Sequence, residues 1–227
     1  MTLVFIHGAG FTGEAFSAQA EAFEGSHAPS LPGHDCAGGA DSIAGFAEFV
    51  ETYVERNSLR DAVLCGHSMG GAVAMETALR GRVPLRALVL IGSGARLRVA
   101  PAILQSLEED FESAIAQIST HFFAEPTPER VEWAVAQMRR VGRDQCLRDF
   151  RACNAFDALD RLGELSVPLL AITGEADVMT PPKFAQALPD RVSGAQARIL
   201  PGAGHFVMAE QPAVTNAQIR AFLSRIE

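Results

Sequence analysis

A chain of 227 residues can bury one substantial core and is short for two. Apolar residues make up 48% and charged residues 20%, ordinary globular proportions that exclude general disorder. The formal charge of −8 excludes a broad attraction to nucleic-acid phosphates or anionic lipid, so neither nucleic acid nor membrane is expected as a partner.

The first residues, Met1-Thr2-Leu3-Val4-Phe5-Ile6, run straight on to His7, and Leu3 to His7 reads as a strand. No basic leader or cleavage site precedes it, so the expected compartment is the cytoplasm. A weaker strand is expected near His27 to Ser30, before the turn signal Leu31-Pro32-Gly33. Asp41 and Ser42 are capping candidates for a helix reaching about Asn57, with Ile43, Phe46, Ala47, Val50 and Val54 along one face.

Further strands follow at Ala62 to Gly66 and Leu85 to Gly92, largely apolar, as strands covered on both faces are. From about Ala95 to Leu162 the rhythm changes. Ile103, Leu107, Phe111, Ile118 and Phe122 keep helical spacing, Pro126 and Pro128 interrupt it, and Val131, Val135 and Met138 resume it. This stretch reads as an inserted helical cap. Strands return at Val167 to Thr173 and Ala197 to Leu200, with a helix start expected at Thr180-Pro181. A last helix follows Gln211-Pro212, with Ile219, Phe222, Leu223 and Ile226 on one stripe.

The alternation predicts an α/β fold, a mostly parallel central sheet of about six strands flanked by helices. The expected organisation is a single domain over 1–227, with its core at 1–94 and 163–227 and its cap at about 95–162. Four cysteines, Cys36, Cys65, Cys146 and Cys153, lack paired spacing and suggest neither zinc nor a disulfide framework.

Gly66-His67-Ser68-Met69-Gly70 fits G-x-S-x-G between a strand and the helix-prone Ala72 to Leu79. Glycines remove the Cβ atoms that would obstruct a strained turn, leaving a serine hydroxyl exposed above a helix N-terminus. Such a hydroxyl is a poor nucleophile until a base takes its proton, and the base needs an orienting group. Downstream, one strand ends in Gly174-Glu175-Ala176-Asp177 and another in Pro201-Gly202-Ala203-Gly204-His205. Both candidates therefore lie on loops beyond strand ends, where parallel-sheet folds place their sites. Glu175, two residues from Asp177, is the competing carboxylate.

These segments, His7-Gly8-Ala9-Gly10, Gly66 to Gly71, Gly174 to Asp177 and Gly202 to His205, resemble the α/β-hydrolase family over nearly the whole chain. The resemblance implies acylation of Ser68 with His205 as general base, Asp177 orienting the imidazole, and a water then releasing the acyl group. It places the oxyanion hole at the Ala9 and Met69 N–H groups, with Gly10 competing with Ala9. The implied activity is that of a carboxylesterase on a small, largely uncharged ester, lactone or thioester, without a cofactor, in a monomer or homodimer. C–C bond hydrolysis, lyase or perhydrolase chemistry and a receptor-like role stay open. The family's Leu-Pro-Gly-His-Gly appears here as Leu31-Pro32-Gly33-His34-Asp35, a departure that bears on the conformation of that loop.

Of the other histidines, His7 and His67 read as structural groups bonded within the loops, and His27, His34 and His121 as surface or loop residues. Phe111, Phe122, Phe123, Trp133, Phe150 and Phe156 read mostly as cap core, some of them lining a pocket. Few basic residues have clear pocket placement, which favours an uncharged substrate, with Arg96, Arg98 and Arg148 as the groups that could change that.

Overall fold

A computed structural model describes residues 1–226. Its centre is a sheet of five parallel strands in simple sequential order, β1 (Thr2–Ile6), β2 (Ala62–His67), β3 (Leu85–Ile91), β4 (Leu169–Gly174) and β5 (Gln196–Leu200). The sheet is parallel because each pair of neighbouring strands is joined by a long helical crossover rather than a hairpin. The middle strands are buried along their length, and Val63, Leu64, Leu88, Val89, Leu169 and Ile172 are among the core side chains. Each such side chain stabilises the fold by about 1.5–3 kcal/mol relative to exposure.

The expected sixth strand does not form. Around His27 there is one bridge to Val4, supported by bonds from the Phe5 N–H to the His27 carbonyl (2.8 Å) and from the His27 N–H to the Leu3 carbonyl (2.9 Å). Two residues on, Pro29 has no N–H to donate, so the ladder cannot continue.

The helices are α1 (Ser17–Ala22), α2 (Ile43–Arg56), α3 (Met69–Arg80), α4 (Pro101–Glu109), α5 (Phe111–Thr120), α6 (Pro128–Val141), α7 (Arg143–Ala155), α8 (Lys183–Gln186), α9 (Val207–Glu210) and α10 (Pro212–Leu223). Helix α2 begins as the sequence indicates, the Ser42 hydroxyl accepting from the Gly45 N–H at 3.2 Å. The chain between β3 and β4 holds α4 to α7 and a 3₁₀ turn at Leu159–Glu164, with no strand among the described residues. Helix α8 starts at Lys183, later than Thr180-Pro181 suggests, and is only four residues long. The Thr180 side chain does not cap it, because Thr180 is engaged with Asp177 instead.

Register decides where the chemistry can sit. Ile6 pairs with Gly66, His67 with Ile91, Ile91 with Ile172 and Gly174 with Leu200. All five strands thus end nearly level, and the loops carrying His7 to Thr12, Ser68, Gly92-Ser93, Asp177 and His205 leave the same edge of the sheet. Residues more than a hundred positions apart are gathered there by strand pairing alone.

Candidate active site

Ser68 occupies the turn from β2 to α3 with φ 51° and ψ −115°, a left-handed conformation that costs a non-glycine residue energy and persists only where the surroundings enforce it. Two glycines make the enforcement possible. A Cβ on Gly66 would lie 2.1 Å from the Gly70 carbonyl oxygen, and one on Gly70 would lie 2.0 Å from the Ile6 carbonyl oxygen. The Ser68 N–H donates to the Ile91 carbonyl (2.9 Å), and the Ser93 hydroxyl donates to the Ser68 carbonyl (2.8 Å), so both sides of the residue's backbone are held by β3 and its following loop. Its hydroxyl caps nothing and has no hydrogen-bond partner among the described residues. It faces a pocket.

Asp177 and His205 meet in a buried pair. The His205 Nδ1–H donates to Asp177 Oδ2 at 2.9 Å, while Glu175, the competing carboxylate, is exposed. Asp177 Oδ1 accepts from the Met179 N–H (2.9 Å) and the Thr180 N–H (2.8 Å), and Oδ2 also accepts the Thr180 hydroxyl at 2.7 Å. Burial alone would push this carboxyl up. The His205 charge, its hydrogen bond and the two Thr180 donors outweigh burial and hold it below the ordinary carboxylate value, so it stays anionic. With Nδ1 so occupied, His205 keeps Nε2 free, and its ring lines the same pocket as Ser68. The two residues share that pocket without a direct hydrogen bond between them.

The loop bearing His205 is fixed from three sides. His67 Nε2–H donates to the His205 carbonyl (3.1 Å), the Phe206 N–H to the Phe122 carbonyl (2.8 Å), and the Gly204 N–H to Glu210 (2.6 Å). His67 is thus a structural group, as its sequence reading holds. Burial and then the charge of His205 drive its pKa well below 6.5, which leaves it neutral. His7 is similar: its Nε2 accepts the Leu31 N–H (2.9 Å), its Nδ1–H donates to the Gly8 carbonyl (2.9 Å), and burial lowers its pKa to about 3.

His34 is a loop residue, as its sequence reading allows, but not a surface one. It is fully buried, and its Nε2 lies 2.7 Å from the equally buried Asp149 of α7. The neighbouring Asp35, which stands where the resembling segment has glycine, adopts the left-handed φ of 62° while paired with Arg140 of α6 (Nε to Oδ1, 2.9 Å).

The two oxyanion candidates part company. The Gly10 N–H is bound to Asp149 Oδ2 at 2.9 Å, whereas the Ala9 N–H has no partner among the described residues and Ala9 lines the pocket beside Ser68. Met69 opens α3, so its N–H has no acceptor within the helix. The pocket encloses about 550 Å³ of empty space, part of it open to solvent, between the sheet edge and the helices that follow β3. Its walls are apolar, with Leu97, Phe122, Phe150, Met179, Phe184 and Phe206 prominent. Arg98 stands at its edge but is bonded to the Asn154 carbonyl (3.0 Å) and to Asp157 (3.3 Å). Arg96 shares Asp157, and Arg148 lines a separate surface hollow.

Thr180, which holds the carboxylate, is read in the sequence only as a helix start, and Ser93, which holds the serine backbone, is absent from the sequence reading. A threonine three residues after an aspartate is a recurrent turn spacing that could have marked Thr180; nothing local marks Ser93. No helix among the described residues is long and apolar enough to cross a membrane.

Comparison with known proteins agrees with this architecture. A thermophilic esterase of known structure superposes with a TM-score of 0.90 and 33% identity, covering 99% of this chain and 90% of that one. A pimeloyl-[acyl-carrier protein] methyl ester esterase of Neisseria meningitidis is 27% identical over 87% of this chain and 80% of its own. The acetyltransferase component of the acetoin cleaving system of Pseudomonas putida is 30% identical over 98% of this chain, which spans only 63% of that protein. The family model described as the alpha/beta hydrolase family matches residues 3–218, and the chain belongs to that family.

Proposed function

We propose that this protein is a serine esterase acting on a small carboxylic ester, lactone or thioester through an acyl-enzyme intermediate. The observation that carries the reading is the buried Asp177–His205 pair opening onto the same apolar pocket as a serine in a strained elbow. In the reaction, His205 Nε2 takes the Ser68 proton as Oγ attacks the carbonyl carbon, and the imidazolium so formed is stabilised by anionic Asp177. The oxyanion accepts from the Ala9 and Met69 N–H groups, and the proton on His205 then passes to the leaving group. Water, deprotonated by the same imidazole, releases the acid and restores the serine. None of these steps calls for a metal or an organic cofactor.

The apolar walls and the pairing of Arg98 with Asp157 support a largely uncharged acyl group next to Ser68. The esterase relatives support the ester class. The helical segment 95–162 acts as a cap within one domain of 1–227, and the enzyme works in the cytoplasm as a monomer or homodimer. A fluorophosphonate probe tests the core of the proposal. It should label the wild-type protein at Ser68 and leave Ser68→Ala unlabelled; equal labelling of both sinks the assignment of the nucleophile.

A further inference from the structure

The helices between β3 and β4 do more than roof the pocket. We infer that Asp149, on α7, is a positioning residue that sets the oxyanion loop, holding Gly10 away from the reaction so that the Ala9 N–H is the one presented to Ser68. The inference rests on the serine-esterase reading and deepens it.

Three donors converge on this carboxylate. Oδ2 accepts the Gly10 N–H at 2.9 Å and faces His34 Nε2 at 2.7 Å, while Oδ1 accepts Gln145 Nε2 at 2.8 Å. Asp149 and His34 have no solvent exposure, and hydrogen bonds to an ion in such surroundings are short, strong and costly to leave unmade. The loop they hold has little freedom otherwise. Gly10 sits at φ +74°, and a Cβ there would lie 3.0 Å from Met138 of α6 and 3.3 Å from Cys146 of α7. A second tether lies two residues further on, where the Thr12 hydroxyl donates to Gln137 of α6 at 3.3 Å.

The consequence follows from peptide geometry. Two successive N–H groups, at Ala9 and Gly10, are available from this loop, and turning the plane of one moves the other. With the Gly10 N–H tied to Asp149, the conformation is fixed and the Ala9 N–H is left unpartnered at the pocket wall. A donor misaimed by about 1 Å can lose a hundredfold in rate, so the tether acts on the chemical step and not on ground-state binding of an apolar substrate.

The experiment compares wild type with Asp149→Asn, His34→Leu and His34→Gln. It measures ester hydrolysis, the rate of fluorophosphonate labelling at Ser68 and the Ki of a trifluoromethyl ketone, which forms a serine adduct bearing an oxyanion. Asparagine keeps the shape but directs an NH2 at one of the three donors. For Asp149→Asn and His34→Leu, kcat per labelled site should fall roughly 10–100-fold with KM within about threefold, and Ki should rise in proportion. His34→Gln, which retains an N–H for Asp149, should recover most of the loss. If Asp149→Asn fails to fold, the two His34 variants decide between the outcomes. Normal turnover per labelled site in the variants, or a loss shared equally by KM, overturns the positioning role. A wild type that takes no label at Ser68 defeats the esterase reading and this role together, whereas a labelled wild type beside an Asp149→Asn that labels at the same rate and turns over normally per labelled site defeats the role alone.

Discussion

Mild acid should weaken this fold through histidines that the interior keeps neutral. His7 is lowered from 6.5 to about 3, by burial first and then by the nearby His34, against a hydrogen bond to the Gly8 carbonyl that works the other way. The unfolded chain takes up this proton near 6.5 and the folded chain only near 3, so the unfolded state binds more protons in between. The contribution is therefore complete above pH 6.5 and is lost as pH falls from there toward 3. At about 1.4 kcal/mol per unit of pKa difference, lowering the pH from 7 to 5 removes about 2 kcal/mol through His7. His67, pushed well below 6.5 by burial and then by His205, adds a loss in the same direction. The roughly 2 kcal/mol lost through His7 is by itself a large share of the 5–15 kcal/mol typical of a folded protein. Urea unfolding of wild type and His7→Gln between pH 5 and 7.5 isolates the first contribution. Glutamine can still accept from Leu31 and donate to Gly8, so the variant should fold, with a pH slope shallower by about 1.4 kcal/mol per unit below pH 6. Identical slopes in the two proteins would refute the claim that His7 is held neutral.

Replacing His205 by alanine should lower turnover of p-nitrophenyl butyrate by about 10⁴-fold with little change in thermal stability, and wild-type turnover in that variant removes the histidine from the mechanism. Thr180→Val withdraws the hydroxyl from Asp177 Oδ2; kcat should drop roughly tenfold, about the effect of losing one bond to a charged group, with KM unchanged. Gly70→Ala would drive a methyl into the Ile6 carbonyl, and calorimetry should show about 3 kcal/mol or more of lost stability. Phe150→Ala opens the pocket wall, so a p-nitrophenyl ester series should show its optimum moving to longer acyl chains, and an unchanged optimum removes Phe150 from the acyl site.

Much of the site was legible because its parts carry local signatures. The Ser68 elbow needs glycines at Gly66 and Gly70, and the Asp177 and His205 loops announce themselves by following apolar strand-sized runs. The weaker strand expected at His27, ahead of the Leu31-Pro32-Gly33 turn, failed on Pro29, whose missing N–H limits it to a bridge. Thr180-Pro181 looked like a helix start, but the hydroxyl found a stronger partner in the Asp177 carboxylate. The pairing of His34 with Asp149 carried no signal, since the two are 115 positions apart and meet only where α7 closes over the loop after β1.

Spacing, strand-end glycines and apolar runs were enough to determine the five strands of the sheet, their parallel arrangement and the three side chains brought to one edge, because these depend on periodicity and on backbone sterics within a few residues. Which backbone N–H is left free beside Ser68, which histidines are buried neutral and which carboxylate braces the loop were decided only by the tertiary structure. Those properties arise from burial and from contacts between distant segments, which no local stretch of sequence encodes.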